Sequence, residues 1–363
     1  MRLRALVGSA LLATGCIESV EPPIDPPPTP YVRSLRGVRV FGTTKTLAIP
    51  TMFADGRDPP MTQAQLQERM FGGDDSPSGP VSRVFRSPSG DRFALRGHVA
   101  PWVRTTIVSS TIADTGAVAR IKEGDHVIQA IQLADPDVDF GEFDNDGPDG
   151  VPNSGDDDGV IDGGLTILNS EFDLTCSNVI GKSPHPHAIL GPPGWLRTAD
   201  TLRTADQRTG GGFIGVAGYT FMSAVDCAGT SVNAKVLTHE LGHMMFTLPD
   251  VYHQAAASPP DKRWMGRRWI LGCWDLMAAG SGWGCGRGEP PLFYVNASLS
   301  AWTRQFVGWT VPKVVPVDRS GTYDVTAPGR GDNVLKLPIG TGEYILVEFR
   351  EKVTGDMGIP GNG

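Results

Sequence analysis

Two histidines and a glutamate in the stretch THELGHMMFTLPDVYH, residues 238–253, have the spacing of a metal site. His239 and His243 are four residues apart, so on a helix both imidazoles leave the same face and can reach one ion. Glu240 lies beside them and is not forced into the coordination sphere. Neutral imidazoles that hold zinc leave a position open for water, lower its pKa to about 7, and leave a neighbouring carboxylate to take its proton. The spacing therefore indicates zinc-assisted hydrolysis.

A chance match on a structural helix is the alternative. With seven histidines in 363 residues, this pattern should arise by accident about once per hundred such chains. Two buried imidazoles and a carboxylate on an apolar helix would also be costly without a partner. Both arguments favour the metal site.

A catalytic zinc usually takes three protein ligands, so one more is needed. Asp250 is the first candidate, because the proline before it ends the helix and a turn there can swing the carboxylate back to the ion. His253 is the second candidate, and Glu289, from a distant segment, is the third. His185 and His187 in SPHPH are further alternatives, although we interpret both as surface-loop histidines beside proline.

The helix that must present this motif can be capped by Ser231 and runs through VNAKVLTHELGHMMF. Hydrophobic patterning also predicts helices at Thr62–Phe71 and Val127–Ala134. Strands are predicted at Gly37–Phe41 and Leu47–Phe53.

The composition changes after Trp309, where GTYDV, NVLKL and EYILVEF have strand character with turn residues between them. These segments predict a β subdomain over residues 313–363, after a larger domain of residues 33–312. We expect this subdomain to be partial, truncated at Gly363.

An acidic, Gly-rich segment, DPDVDFGEFDNDGPDGVPNSGDDDGVID, spans residues 135–162. Carboxylate and carbonyl oxygens at two-residue spacing suit calcium, although the full EF-hand spacing is not matched. The expected ligands are Asp144, Asp146, Asp149, Asp156, Asp158 and Asp162. The segment also contains Asp137, Asp139 and Asp157. A solvated acidic loop is the alternative; if calcium binds, it pins a loop that would otherwise repel itself.

The first residues, MRLRALVGSALLATGC, are typical of a secretory signal: a basic start, a short apolar run and small residues before Cys16. The apolar run is shorter than the roughly 20 residues of a membrane-spanning helix. Residues 1–16 resemble a bacterial lipoprotein signal with lipid on Cys16, an ordinary cleaved signal being the alternative. Residues 17–32 contain EPPIDPPPTP, which predicts an extended tether. The protein is therefore expected to be exported, either to the bacterial cell envelope as a lipoprotein or as a secreted protein.

Export places the other four cysteines in an oxidising setting, where an even number predicts two disulfides. We favour Cys273 with Cys285, which closes a short Gly-rich loop, and Cys176 with Cys227. None of the four has zinc-ribbon spacing. The net charge of −8 and the absence of a Lys/Arg block argue against a nucleic-acid partner.

HELGH followed by LPDVY resembles the immune inhibitor A-type secreted zinc metallopeptidases, a metzincin-like family whose helix commonly reads HExGHxLGLPDxYD. The resemblance extends over residues 38–363 through LAIPTMFADGRD, GDRFALRGHVAPWV, DFGEFDNDGPDG, CWDLMAAGS, LSAWTRQFVGW, GEYILVEFRE and GIPGNG. It implies an α+β fold: a metzincin-like zinc peptidase domain, with a mixed sheet and the active-site helix, followed by the β subdomain. It also implies Asp250 as third ligand and Met277 as the floor beneath the metal, for which a core methionine is the alternative.

The sequence departs from the common family pattern at three places. One extra residue separates His243 from Asp250, Thr247 replaces the turn glycine, and His253 replaces the aspartate after Tyr252. The spacing leaves His253 open as an alternative ligand.

Together these features predict an exported, lipid-anchored zinc-dependent endopeptidase that acts on polypeptides. In this hypothesis Glu240 is the general base that deprotonates the attacking water and then returns the proton to the leaving amine. One alternative is a catalytically inactive, surface-tethered binding protein that retains the peptidase fold. Another is a zinc hydrolase that acts on a non-peptide bond.

Overall fold

The computed structural model describes residues 3–6, 38, 40–73, 79–112, 117–172, 186–189, 202–225, 234–254, 267–269, 271–278, 297–328, 330–331 and 333–351. Its helices are α1 (Gln63–Met70), α2 (Pro80–Arg83), α3 (Ala117–Ala134), α4 (Ala234–Phe246) and α5 (Ala301–Val307). Its strands are β1 (Leu3–Leu6), β2 (Gly42–Met52), β3 (Phe93–Val99), β4 (Val103–Arg104), β5 (Leu165–Phe172), β6 (His187–Ile189), β7 (Leu202–Gln207), β8 (Phe213–Val216), β9 (Tyr219–Val225), β10 (Tyr252–Gln254), β11 (Arg267–Trp269), β12 (Lys313–Val314), β13 (Thr322–Val325), β14 (Leu335–Gly340) and β15 (Glu343–Val347).

Several residues singled out from the sequence lie outside this described part: Cys16, Cys176, His185, Cys227, Ser231, Cys285 and Glu289. The tether of residues 17–32 lies outside it as well. Both disulfide pairs therefore stay predictions. Among the residues described, no helix has the length and apolar character needed to cross a membrane.

A six-stranded mixed sheet forms the centre of the fold. The strand order is β3-β2-β5-β9-β6, with β4 also paired to β2. The pairings of β2 with β3, β4 and β5, and of β5 with β9, are parallel, whereas β6 runs antiparallel to β9 at the edge. Together with helices α1–α5 of the described residues, this sheet makes the fold α+β, as the family resemblance predicts.

Both faces of the sheet are covered, so its central strands β2, β5 and β9 are buried along most of their length. Because side chains alternate along a strand, Leu47 and Ile49 of β2 lie in one core cluster and Ala48 in the other. Helix α3 packs on the first face with Val127 and Ile131. Helices α1, α2 and α4 pack on the second face. The helix with the HELGH motif is thus held against one face of the sheet.

The strands after α5 form a smaller unit. β12 runs parallel to β14, and β14 pairs antiparallel with β15. Val315, Val325 and Leu335 are its buried core, and β13 pairs with β1. β13, β14 and β15 each begin within one of the three segments whose composition predicts strands, whereas the short β12 precedes them.

Local signals account for some element boundaries and not for others. Helix α1 lies within the predicted helix Thr62–Phe71, and Thr62 caps it in a capping box with Gln65. Helix α3 begins at Ala117, ten residues before the predicted start at Val127. The prediction stopped short because the glycine in the middle of the helix lowers helix propensity by about 1 kcal/mol. In the structure, buried residues on both sides of this glycine continue the helix. The predicted strand Gly37–Phe41 is wrong where it is described, since β2 begins at Gly42.

Candidate active site

Helix α4 places three polar side chains of the motif close together. Leu237, Leu241 and Met245 of this helix are buried against the sheet. His239 and Glu240 are each only 7% exposed, and His243 is partly exposed. The two histidines are one helical turn apart and share a face.

Asp250 lies opposite these imidazoles. The distance from its Oδ1 atom to His239 Nε2 is 3.1 Å, and to His243 Nε2 it is 3.3 Å. The two Nε2 atoms are 3.2 Å apart. Ligand atoms that hold a tetrahedral zinc ion at 2.0–2.1 Å lie about 3.3 Å from one another. The three atoms therefore form a triangle of the size that zinc requires.

Backbone carbonyls fix which ring nitrogens face this triangle. His239 Nδ1 lies 2.9 Å from the Leu276 carbonyl oxygen, and His243 Nδ1 lies 2.5 Å from that of Leu248. A carbonyl oxygen only accepts, so each Nδ1 carries the proton and each Nε2 presents its lone pair. This arrangement of a donated Nδ1–H behind a ligating Nε2 is usual around protein-bound metals.

The turn after α4 brings Asp250 back to the helix. Thr247 adopts a left-handed backbone with φ of 56°, and its N–H donates to the His243 carbonyl oxygen at 3.1 Å. Leu248 N–H donates to the Gly242 carbonyl at 3.3 Å. The turn thereby accommodates the extra residue between His243 and Asp250.

Met277 lies under the helix with no exposed surface. An added Cβ on Gly242 would lie 2.7 Å from Met277 Sδ, so the helix and the methionine approach as closely as a glycine permits. The Met277 carbonyl accepts from Val251 N–H at 2.9 Å. Asp275 is fully buried and accepts from the backbone N–H groups of Met277 and Ser300, at 2.7 and 2.9 Å. This segment forms the floor of the site.

The site's electrostatics couple its three acid–base groups. Burial opposes ionisation of Asp250, but His239 and His243, when they are protonated at Nε2 as well, donate hydrogen bonds to its carboxylate and attract it, which holds its pKa below the ordinary value. Burial disfavours the charged form of His243, yet the Asp250 carboxylate raises its pKa. Burial raises the pKa of Glu240, against the opposing charges of His239, His243 and His187.

The other candidate ligands are placed differently. His253 lies in β10, with its backbone opposite Arg268 of β11, and its side chain is outside the described set. The surface-loop interpretation of His187 is wrong: it lies in edge strand β6, with Nε2 at 2.9 Å from Glu123 Oε1. The same carboxylate oxygen accepts from the Tyr219 hydroxyl at 2.7 Å. This pairing leaves His187 engaged with α3.

The acidic segment forms a second cluster. One oxygen each from Asp144, Asp146 and Asp157 lies within 4.8 Å of the others, and all three residues are buried. Asp162 is also buried, and its Oδ2 accepts from Asn145 N–H at 3.1 Å.

Several oxygens in this cluster are buried without a hydrogen-bond partner among the described residues. They include both carboxylate oxygens of Asp144, Oδ1 of Asp162 and Oδ1 of Asn145. Burial, followed by the charges of neighbouring aspartates, raises the pKa of Asp144 to about 7. Burial is also the main cause that raises the pKa of Asp162 to about 8. Such a cluster of carboxylates is costly unless a cation neutralises it.

Three aspartates expected as calcium ligands lie at the exposed rim. Asp149 Oδ1 accepts from Val151 N–H, Asp156 accepts from Ser154, and Asp158 Oδ1 accepts from Val160 N–H.

Asp157, which was not among the expected ligands, lies in the cluster in place of these three rim aspartates. Its carboxylate accepts from Gly147 and Ser154 N–H groups at 2.6 and 2.7 Å, so it closes the loop onto itself. Nothing in the run of three aspartates distinguishes Asp157 from its neighbours, because the fold of the turn decides which one points inward.

Comparison with known proteins locates both clusters in one recognised domain. Residues 64–310 match the family model described as "Immune inhibitor A peptidase M6, catalytic domain". No curated protein matches the chain. The matched range contains His239, Glu240, His243 and Asp250, together with the acidic cluster, and ends before the strands that follow α5.

Proposed function

The chain belongs to the immune inhibitor A family of metallopeptidases, and on that premise we propose that it is a zinc-dependent endopeptidase. The ion is held by His239, His243 and Asp250. The observation that carries this assignment is the triangle of ligand atoms, with sides of 3.1, 3.2 and 3.3 Å. Its dimensions and its donor set of two imidazoles and one carboxylate fit zinc.

Zinc in this position would polarise the scissile carbonyl and acidify a water molecule. Glu240 accepts the proton of the attacking water and then donates it to the leaving amine of the polypeptide. The Leu276 and Leu248 carbonyls hold both imidazoles in the tautomer that this site needs. Met277 supports the helix from below and does not bind the ion.

Elemental analysis of the purified full chain, with two alanine variants, tests the ligand set. We expect one zinc ion per chain in the wild type and in His253→Ala, and loss of zinc in Asp250→Ala. The reverse pattern would assign the third ligand to His253. Glu240→Ala should keep the zinc and lose casein cleavage, since this side chain moves protons and is not a ligand.

The same variants separate the rival functions. A zinc-loaded wild type that cleaves casein no faster than Glu240→Ala would indicate a binding protein with a retained peptidase fold. Glu240-dependent cleavage of esters or small amides, with casein left intact, would indicate a hydrolase that acts on another bond.

The acidic cluster supports a structural calcium ion as part of this function. Its ligands are Asp144, Asp146 and Asp157, with Asp162 beside them, and hard oxygen donors of this kind suit calcium. Backbone bonds from Ile161 to Gly215 and from Asp162 to Phe143 tie the loop to the sheet region. Calcium would neutralise the buried carboxylates and fix the loop between α3 and β5.

Thermal denaturation in calcium and in EGTA tests this site. At calcium about 100-fold above its dissociation constant, stabilisation of about 2.7 kcal/mol is expected. Asp144→Asn should abolish the calcium effect, and in EGTA this variant should be at least as stable as the wild type because a buried charge is removed. The matched control, Asp149→Asn at the exposed rim, should keep the calcium response. Equal responses in both variants would exclude the cluster.

Export and lipid anchoring complete the proposal. The basic start, short apolar run and small residues before Cys16 support them, and the Pro-rich residues 17–32 would then be a tether. Growth of the producing cells with a labelled fatty acid should label the wild-type chain and leave Cys16→Ser unlabelled. Equal labelling of both would refute the anchor.

A further inference from the structure

Arg350 follows β15 and lies 40 residues beyond the last residue that matches the family model. Its side chain is nevertheless buried, with 5% of the residue exposed. Nη1 donates to the Trp274 carbonyl oxygen at 2.7 Å, and Nη2 donates to that of Ser298 at 3.3 Å. The guanidinium therefore joins the two stretches of chain that border the floor of the metal site.

An ion pair with one partly exposed carboxylate holds this guanidinium in place. Glu348 Oε1 lies 3.5 Å from Arg350 Nη1. Its other oxygen pairs at 3.0 Å with Nη1 of Arg304, a fully buried residue of α5. Arg304 Nη1 also donates to the Leu299 carbonyl at 3.0 Å. The segment that follows β15 is thus fastened to α5 through two buried guanidinium groups and the partly exposed Glu348.

From these carbonyls a short series of contacts leads to one zinc ligand. The Ser298 carbonyl that accepts from Arg350 also accepts from Leu276 N–H at 3.3 Å. The Leu276 carbonyl, in turn, accepts from His239 Nδ1 at 2.9 Å. Displacement of Leu276 would change the orientation of the His239 ring.

The same stretch of chain reaches the third ligand. Next to Leu276, the Met277 carbonyl accepts from Val251 N–H at 2.9 Å. Val251 directly follows Asp250. Residues 274–278 therefore touch the supports of two ligands, and Arg350 binds the first residue of that stretch.

We infer that Arg350 is a positioning residue of the metal site: it fixes residues 274–278 and thereby the orientation of His239 and Asp250. The inference rests on the proposed zinc site. It assigns to the β subdomain an indirect part in metal binding, through residues 274–278. A planar guanidinium suits this role, because its fork of donors can satisfy two carbonyls at once, whereas a lysine ammonium at this place cannot do so in the same geometry.

The test measures zinc affinity in the full chain by competition with a chelator, with the visible spectrum of the cobalt(II)-substituted protein as a second readout. Arg350→Met keeps most of the side-chain volume and removes all donors. We expect its zinc dissociation constant to rise about 10-fold or more, the usual size of an effect on groups that orient metal ligands. Its cobalt spectrum should also shift. Arg350→Lys should restore part of the affinity, and Arg319→Met, on the exposed surface of the same subdomain, should match the wild type.

The outcomes separate this inference from the proposed function. A wild type without zinc refutes the metal site and the inference together. A zinc-loaded wild type and an Arg350→Met protein that is folded by circular dichroism, with equal affinities and identical cobalt spectra, refute the inference alone. If Arg350→Met does not fold, Arg350→Lys decides: a loss of a few-fold in affinity supports the positioning role, and wild-type affinity overturns it.

Discussion

Gly242 lies on α4 between the two histidines, at the point where the helix meets Met277. A methyl group there would be 2.7 Å from Met277 Sδ and 3.4 Å from Leu248 Cδ1. Two opposing effects meet at this residue. Alanine in a helix interior is better than glycine by about 1 kcal/mol, whereas overpacking of a core costs about 1–3 kcal/mol.

Because Met277 is fully buried, we expect overpacking to win in Gly242→Ala. The free energy of unfolding should fall by about 1 kcal/mol net, and zinc affinity should fall with it as the floor is displaced. Denaturant titration and chelator competition measure the two effects. Gly73→Ala is the control, since no atom of the described residues lies within 4 Å of the added methyl. A more stable Gly242→Ala protein would mean that Met277 moves aside freely.

Single residues also show what the sequence could predict about the site. The four-residue spacing of His239 and His243 predicts a shared helical face, because helix geometry is local and regular. Asp250 could be named as a candidate only, since its position depends on the turn after the helix. Asp157 was missed because its inward orientation is set by the folded loop and has no counterpart in the pattern of acidic residues.

The turn that ends α4 is strained at Thr247. A β-branched residue with φ of 56° is a backbone outlier, and left-handed non-glycine residues cost about 1–3 kcal/mol. The family's glycine would adopt this conformation without such strain. Replacement of the family's glycine by Thr247 therefore increases the strain of the turn. The strained turn still brings Asp250 to both imidazoles.

Thr247→Gly should relieve that strain. Glycine gives the unfolded chain more conformational freedom, which lowers the free energy of unfolding by about 0.5–1 kcal/mol. Relief of the backbone strain outweighs this loss, so we expect a net gain of about 1 kcal/mol in the free energy of unfolding. Thr247→Ala is the matched comparison, because it retains a Cβ and most of the penalty. Urea denaturation of the three proteins gives the order, and a glycine variant no more stable than the alanine variant would show that the turn is unstrained.

At the scale of the whole molecule, the sheet separates two hydrophobic cores, one under α4 and one under α3. The face under α4 carries the proposed zinc site, and the core on the opposite face contains His126 of α3, which is fully buried beside Phe53. His126 Nδ1 lies 2.8 Å from Thr105 Oγ1, and Nε2 lies 3.0 Å from Thr51 Oγ1. An α+β fold could be predicted from the family resemblance, but the packing of α3 on this face could not, because it depends on long-range strand order.

Burial lowers the pKa of His126 from 6.5 to about 3, and this makes the stability of the fold depend on pH. Below pH 6.5 the unfolded chain takes up a proton that the folded chain excludes, so the free energy of unfolding falls as the pH falls towards 3. At pH 5 the loss from this histidine is about 2 kcal/mol. His126→Gln should remove that part of the slope while its amide retains hydrogen bonding to the threonines. Urea titrations of the two proteins from pH 7 to pH 5 measure the difference in the pH dependence of the free energy of unfolding. Saturating calcium is included to keep the acidic cluster neutralised. Parallel pH profiles for the two proteins would contradict the prediction.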